Sequence, residues 1–449
     1  MEKRSTFTGS FGFVMAAASS AIGLGNIWRF PYLAAKYGGS AFLLVYIILV
    51  VSFGFALMIA ENVIGRKTGK GPLAAFSHIN KKWGFVGFLA TIIPALILPY
   101  YNVIGGWVVN YMATYISGSY PEAGGASQFF SDMLLDPARL ITVQVIFTLI
   151  VTAVVVCGIQ KGIERFSKIL MPILFVLAIA IAVYSITLPG AMEGVKYFFV
   201  PDLKRLSLEG ILAAMGQMFY SLSLAMGIMI TYGSYLPKDS DIEKSVSQIE
   251  IFDTLIAILA GLMIIPAVFA FDKSQLSAGP GLMFITLPEV FMSMGGTRII
   301  GILFFVLVLF AALTSAISLT EALVTSLCDK FKWNRMVSIA IVCVWSIILG
   351  IACILGYSSW SHVRFFGGLD ILDSLDFITN SVFMPITALL TCILVGYVWG
   401  TDKVKEEIEL SGKFKREKLF IVMIKVVAPV FVIAVLVSSI LNTFGIISL

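Results

Sequence analysis

Residues 19–31 read Ser-Ser-Ala-Ile-Gly-Leu-Gly-Asn-Ile-Trp-Arg-Phe-Pro and lie inside an apolar run over residues 10–35. An asparagine and an arginine within a helix of membrane length are costly and therefore point to a function. A helix-packing face is one interpretation, but packing motifs space their small residues by four, whereas Gly23 and Gly25 are two apart. An unwound stretch accounts better for this spacing, because it frees backbone N–H and C=O groups for a ligand and ions.

The composition of the whole chain is that of a membrane protein. Hydrophobic residues make up 59% of the 449 residues and charged residues 13%, where soluble domains carry roughly 25% charged residues. So few charges cannot coat a soluble globule, which excludes a soluble enzyme. The basic residues cluster in loops between apolar runs, a pattern typical of membrane orientation and not of nucleic-acid binding. His78 and His362 lie near no intramembrane acid or cysteine in the sequence, which argues against a membrane-embedded enzyme.

Apolar runs predict the number of membrane crossings, since a bilayer core of about 30 Å needs roughly 20 helical residues. Eleven such runs occur, at residues 10–35, 40–64, 85–117, 140–157, 166–188, 208–234, 247–271, 298–327, 336–356, 371–399 and 418–447. The sequence therefore predicts an all-α polytopic membrane protein with eleven transmembrane helices, in which residues 1–449 form one membrane domain.

The basic residues predict the orientation of the chain in the membrane. With a cytoplasmic N-terminus, 21 of the 31 Lys and Arg residues fall in cytoplasmic segments. The positive-inside rule then places the N-terminus inside and the C-terminus outside. No Asn-x-Ser/Thr acceptor occurs, and together these features favour a prokaryotic inner or plasma membrane.

A second interrupted span lies five runs after the first. Its sequence is GQMFYSLSLAMG at residues 216–227, with polar and small residues at mid-depth. Two broken helices at corresponding places in two five-helix halves indicate an inverted-repeat transporter with a midplane site. We therefore predict a 5+5 inverted repeat with unwound first and sixth helices, over approximately residues 8–190 and 205–400, and an additional helix at 418–447.

Several motifs along the chain resemble the neurotransmitter:sodium symporter family, in particular its bacterial eleven-helix amino acid transporters. The run AIGLGNIWRFP at residues 21–31 is similar to the first-helix signature of that family. Further similarities are GGSAF at 38–42, Tyr100-Tyr101, GQMFYSLSLAMG at 216–227, ITYGSY at 230–235 and LTSAIS at 313–318. The resemblance covers nearly the whole chain and implies sodium-coupled symport of an amino acid by alternating access.

The resemblance implies two Na⁺ sites built from oxygen ligands, which a hard cation prefers. The first would use the Ala21 carbonyl and the side chains of Asn26, Ser221 and Asp253. The second would use the carbonyls of Ser19, Ile22 and Ala311 with the hydroxyls of Thr314 and Ser315. Thr314 and Ser315 could instead bond back to their own helix. Chloride-dependent animal members carry asparagine where this chain has Asp253, so no chloride requirement is expected.

The resemblance also implies an amino acid pocket. The carboxylate would be held by the N–H groups of Leu24 and Gly25 and by the Tyr101 hydroxyl, while sixth-helix carbonyls accept from the ammonium group. The pocket residues would be Ala21, Gly23, Leu24, Gly25, Ile97, Tyr101, Phe219, Tyr220, Ser221, Ser223, Met226, Ser318 and Leu319. This set is almost wholly apolar and uncharged, which predicts neutral hydrophobic or aromatic L-amino acids.

Gate residues complete the implied mechanism. On the outside, Arg29 and Asp376 resemble an ion pair above a lid of Tyr101 and Phe219. On the inside, the resemblance pairs Arg4 with Asp329, assisted by Tyr235. A membrane receptor or sensor that binds an amino acid without moving it is the alternative function, although the chain has no soluble signalling domain. The sequence leaves the oligomeric state open.

Overall fold

The computed structural model describes residues 5–122, 124–271, 281–293, 296–366 and 368–443. Throughout these residues the regular elements are helical, and the β contact that occurs is an isolated bridge between Phe365 and Leu369. An all-helical fold follows from long apolar sequences in a bilayer, because a helix satisfies every backbone polar group within its own segment.

Nine helices, numbered in chain order, lie in the described residues up to residue 199. They are α1 (Ser10–Ala21), α2 (Gly25–Lys36), α3 (Ser40–Thr68), α4 (Pro72–Ile79), α5 (Lys81–Ser117), α6 (Ala126–Leu134), α7 (Pro137–Val156), α8 (Ile159–Ile186) and α9 (Ala191–Phe199).

Nine further helices lie in the described residues from residue 208 onward. They are α10 (Leu208–Ser221), α11 (Ile228–Gly233), α12 (Ile242–Phe271), α13 (Leu282–Ser293), α14 (Thr297–Phe331), α15 (Arg335–Leu355), α16 (Ile371–Trp399), α17 (Thr401–Ile408) and α18 (Glu417–Leu441).

The described residues contain nine helices that are long and apolar enough to cross a membrane. A tenth crossing is the pair α1 and α2, whose axes bend by 52° at their break. The predicted run at 208–234 is divided into α10 and α11 by residues 222–227. Neither piece has membrane length alone, so the structure shows nine or ten such helices where the sequence predicted eleven.

Burial separates the central helices from those at the periphery. Two thirds of the most apolar window of α14 is buried inside the protein (67%), against 28% for α18. α14 packs along α5 and also contacts α1, so these helices form the centre of the bundle. The breaks in α1–α2 and α10–α11 therefore lie where water is excluded and where freed backbone groups need internal partners.

Candidate functional site

The first helix breaks where the sequence predicted it. Residues 22 and 23 are irregular, and close neighbours require glycine on both sides of Leu24. A Cβ at Gly23 would lie 2.4 Å from Ser315 Oγ, and one at Gly25 would lie 2.6 Å from Tyr220 Cδ1. The two glycines therefore let α14 and α10 approach the broken backbone.

The second break, between α10 and α11, contains residues with left-handed backbone geometry. Ser223 has φ 53° and Ala225 has φ 62°, a conformation that costs non-glycine residues roughly 1–2 kcal/mol each. Gly227, with φ 74°, directly precedes the first residue of α11. The buried carboxylate of Glu61 accepts a hydrogen bond from Ala225 N at 2.6 Å and so compensates part of this cost.

Side chains join the two breaks to each other. The carbonyl of Ser20 accepts from Ser223 Oγ at 3.1 Å and from Ser315 Oγ at 3.0 Å. Gln217 Nε2 donates to the Gly25 carbonyl at 2.8 Å. Sequence reasoning missed Gln217, although a buried amide next to a helix break is a usable signal.

A cavity lies between the two breaks. Its lining contains every predicted pocket residue except Phe219 and Ser318. The lining residues are Ser20, Ala21, Gly23, Leu24, Gly25, Ile97, Tyr101, Tyr220, Ser221, Ser223, Met226, Ile228, Ser315 and Leu319. The described lining contains no Asp, Glu, Lys or Arg. Such a cavity suits an apolar side chain, with hydroxyls and backbone amides for a polar end.

The groups predicted to hold the carboxylate of the amino acid lie at the first break. The amide N–H of Leu24 donates to the Tyr101 hydroxyl at 3.3 Å, and both residues line the cavity. The amide and the hydroxyl therefore point at the same volume, where an anionic group can replace their mutual contact.

Two predicted pocket residues lie outside the cavity lining. Phe219 packs edge-on against Phe53, with ring centroids 5.3 Å apart, and lines a separate outer cavity. Ser318 Oγ donates to the Thr314 carbonyl at 2.9 Å and lies 2.7 Å from the Tyr232 hydroxyl. Tyr220 lines both this cavity and a second cavity, the vestibule, which also contains Arg29 and Asp376.

Two predicted ligands of the first Na⁺ site, Asn26 and Ser221, contact the carboxylate of a third, Asp253. Asn26 Nδ2 donates to Asp253 Oδ1 at 2.8 Å, and Ser221 Oγ lies 2.5 Å from the same oxygen. Tyr46, which sequence reasoning missed, donates its hydroxyl to Asp253 Oδ2 at 2.6 Å. All four residues are buried and come from α2, α10, α12 and α3. A fully buried carboxylate among neutral oxygens is a chemically suitable cation site.

The residues of the predicted second Na⁺ site are arranged differently. Ser315 Oγ reaches across to the Ser20 carbonyl, whereas Thr314 Oγ1 lies 3.1 Å from the Phe310 and Ala311 carbonyls of its own helix. Ser19 Oγ lies 2.8 Å from Ser167 Oγ on α8. This region therefore offers neutral oxygens, some of which bond within their own helix.

The residues predicted as the outer gate, Arg29 and Asp376, both line the vestibule. No ion pair joins these two described side chains. The Arg29 guanidinium lies 5.4 Å from the centre of the Tyr220 ring. Asp376 Oδ1 accepts from the Tyr100 hydroxyl at 3.0 Å and from Asn380 Nδ2 at 2.5 Å.

On the opposite side, the Tyr235 hydroxyl donates to Glu321 Oε1 at 2.7 Å. Glu321 is buried and pairs with Arg335 at 2.6 Å, an interaction that sequence reasoning missed. An acid within the apolar run of α14 was the available signal. Asp329 Oδ2 accepts from Gly71 N at 2.6 Å. The predicted partner Arg4 lies outside the described residues.

Comparisons with known proteins identify the family of this chain. The profile of the sodium:neurotransmitter symporter family matches residues 4–139 and 134–446. The sodium-dependent transporter YhdH of Bacillus subtilis is 38% identical in an alignment of 405 positions that covers 88% of each chain. A sodium-dependent transporter of Haemophilus influenzae is 33% identical in an alignment of 453 positions that covers 98% of each chain.

A solved structure has the same fold. The crystal structure of MhsT in complex with L-phenylalanine superposes with a TM-score of 0.89 at 39% sequence identity. The match covers 97% of this chain and 100% of that chain. The resemblance stated from the sequence motifs is confirmed. The chain belongs to the sodium:neurotransmitter symporter family.

Proposed function

We propose that this protein is a sodium-coupled symporter that carries neutral hydrophobic or aromatic L-amino acids into the cell by alternating access. The observation that carries the proposal is the cavity between the two helix breaks, which shares Ser221 with the Asp253 cluster. A residue common to both sites couples them directly, because an ion that orders Ser221 also shapes the cavity wall.

The character of the cavity supports the choice of substrate. Ile97, Tyr220, Met226 and Leu319 supply apolar surface, and the flexible thioether of Met226 adapts to side chains of different shape. A charged substrate side chain would lose its hydration without gaining a partner of opposite charge. MhsT, the structural relative, is in complex with L-phenylalanine, a substrate of the class proposed here.

Two Na⁺ ions per amino acid are proposed as the coupling ions. Asn26, Ser221 and Asp253 with the Ala21 carbonyl would hold the first ion, and the Asp253 carboxylate would supply the charge that makes chloride unnecessary. The Ser19, Ile22 and Ala311 carbonyls with Thr314 and Ser315 would hold the second. Two positive charges moved with a zwitterion gain roughly 4–5 kcal/mol per 100 mV of membrane potential.

We also propose eleven crossings, with the broken pair α10 and α11 counted as one. The two repeats would cover residues 8–190 and 205–400, followed by the helix at 418–447. The excess of basic residues on one side supports a cytoplasmic N-terminus and an external C-terminus in a prokaryotic inner membrane.

Gating would occur at the two ends of the central cavity. Tyr220, with Arg29 and Asp376 above it, would close the outer path, and Tyr235 with Glu321 would hold the inner path shut. The lid function that the family resemblance implied for Phe219 is proposed here for Tyr220, because Tyr220 lines both the central cavity and the vestibule. Alternating access then requires the two sets of contacts to break in turn.

The test is uptake of labelled leucine or phenylalanine into proteoliposomes, with and without an inward Na⁺ gradient, in competition with each of the twenty amino acids. Transport predicts Na⁺-dependent accumulation that hydrophobic and aromatic amino acids inhibit. Binding without accumulation would favour a receptor or sensor. Competition by lysine or glutamate but not by leucine would contradict the proposed substrate class.

A further inference from the structure

A large groove lies on the outer surface of the bundle, away from the central cavity. It has a volume of about 1330 Å³ and lies between α4, α5, α14 and α15. Phe88, Ile92 and Leu327 supply apolar walls. Phe88 is 56% exposed and Trp345 is 44% exposed, so the groove opens sideways to the surroundings of the helices. In a membrane-spanning bundle those surroundings are the acyl chains of lipids.

The indole of Trp345 is held in this groove by a backbone carbonyl. Trp345 Nε1 donates to the Ala95 carbonyl at 2.8 Å, and both residues line the groove. The residue four positions after Ala95 is Pro99, which has no N–H to donate within α5. The freed carbonyl therefore fixes the ring of Trp345, so that the groove has a rigid aromatic wall at this depth.

Two lysines stand at one end of the groove. Lys81 begins α5 and Lys330 lies in the last turn of α14, and both line the groove and are exposed. Neither lysine has a carboxylate partner among the ion pairs of the described residues. Asp329, next to Lys330, accepts a hydrogen bond from Gly71 N. The groove thus ends in positive charge that is available to a ligand.

Aromatic pairs beside each lysine mark the level of the membrane interface. Trp83 stacks on Phe85 with ring centroids 6.0 Å apart, and Phe331 stacks on Trp333 at 5.0 Å. Aromatic residues are enriched where acyl chains meet headgroups. Lys81 and Lys330 are therefore at headgroup height, while Trp345 and Ile92 lie deeper.

We infer that this groove is a binding site for one anionic phospholipid. The acyl chain lies against Phe88, Leu327 and Trp345, and the headgroup phosphate is held between Lys81 and Lys330. Charge selects the ligand, since a zwitterionic lipid fills the same apolar walls but gains less from two cations. The proposed orientation of the chain places this lipid in the cytoplasmic leaflet, whereas the site itself depends only on the groove.

Tryptophan quenching by brominated lipids tests the site in the full-length protein. The fluorescence of the protein is compared in vesicles that contain phosphatidylglycerol or phosphatidylcholine brominated in the acyl chains. The Trp345→Phe variant identifies the contribution of Trp345 by difference. We expect brominated phosphatidylglycerol to quench that contribution at a concentration at least about fivefold lower than phosphatidylcholine, since each lysine near an anionic surface contributes about this factor.

Matched variants separate the groove from general surface charge. Lys81→Gln with Lys330→Gln should remove the preference for phosphatidylglycerol. Lys82→Gln with Lys332→Gln should keep it, because these neighbouring lysines do not line the groove. Raising the salt from about 0.05 M to about 0.5 M should weaken the preference in the wild-type protein without any substitution.

Three results would overturn the inference. One is equal quenching of Trp345 by both lipids in the wild-type protein. Another is a preference that persists in the Lys81 and Lys330 double variant. The third is the absence of Trp345 quenching by either lipid, which would show that a second copy of the chain or another protein segment covers the groove.

Discussion

The two predicted Na⁺ sites lie beside the same broken helix but differ in charge and in connection. The first contains a buried carboxylate, Asp253, on which Asn26, Ser221 and Tyr46 converge from three other helices. The second contains neutral oxygens, and the hydroxyl of Thr314 bonds to carbonyls of its own helix. A buried carboxylate is costly unless a positive charge or hydrogen-bond donors stabilise its negative charge. A neutral hydroxyl can instead rotate between its own helix and a cation.

This difference predicts different roles for the two proposed sites. A cation beside Asp253 removes the cost of a buried negative charge, so its binding is coupled strongly to the order of α2, α10 and α12. A cation beside Thr314 replaces hydrogen bonds that are already made. The first site should therefore set whether Na⁺ drives transport at all, and the second should adjust how much Na⁺ is needed.

The largest expected effect is that of Asp253→Asn. Removing the charge leaves a buried cation without its counter-charge, a loss of about 3 kcal/mol or more, which is roughly 100-fold in Na⁺ affinity. The measurement is the Na⁺ concentration that gives half-maximal amino acid uptake in chloride-free proteoliposomes.

Glu250→Gln is the matched control for this substitution. Glu250 is a buried acid on the same helix, but it pairs with Arg416 at 3.2 Å, away from the cavity. Its removal should change Na⁺ affinity by no more than about threefold, as expected for an independent site. Equal losses in the two variants would mean that Asp253 contributes to folding and not to ion binding.

Thr314→Val should have an intermediate effect. The substitution keeps the branched shape and removes one neutral oxygen, which lowers Na⁺ affinity by roughly tenfold if the hydroxyl binds the ion. Thr320→Val is the control, because Thr320 is buried on the same helix and its hydroxyl donates to the Ala316 carbonyl. A loss as large as that of Asp253→Asn would erase the proposed distinction between the sites.

Tyr46→Phe should have the smallest effect of the three. The Tyr46 hydroxyl donates to Asp253 Oδ2, whereas Asn26 and Ser221 contact Oδ1. Tyr46 therefore orients the carboxylate. Its loss should lower Na⁺ affinity by about fivefold, the usual effect of one hydrogen bond.

The control for Tyr46 is Tyr111→Phe. Tyr111 is also buried, and its hydroxyl donates to the Phe284 carbonyl at 2.7 Å. This hydrogen bond does not involve Asp253 or its partners. Unchanged Na⁺ affinity in the Tyr46 variant, with the same stability as the Tyr111 variant, would show that Tyr46 only packs.

Much of the fold was predictable because apolar length and helix breaks are local properties of the sequence. The glycines and Asn26 marked the first break, and the mixed sequence at 216–227 marked the second. The proposed lid residue, Tyr220, was harder to predict, since neighbouring residues on a helix point about 100° apart. Phe219 and Tyr220 have similar side chains, and only the packing of Phe219 on Phe53 shows that Tyr220 faces the cavity.

Other site residues depend on long-range packing. Tyr46 lies in the apolar run of α3 and has no neighbour in sequence that marks it as a partner of Asp253. The residues are 207 positions apart and meet only in the folded bundle. Glu321 carried a usable signal, an acid in an apolar helix, but its pairing with Tyr235 and Arg335 required the structure.

The most direct test of the central claim, that Asp253 supplies the coupling charge, is Na⁺-driven uptake by the wild-type protein with chloride replaced by gluconate on both sides of the membrane. We predict the same initial rate and the same Na⁺ dependence in both anions. A fall of uptake to the level seen without Na⁺ would contradict it, because the negative charge that compensates the ion would then come from chloride and not from Asp253.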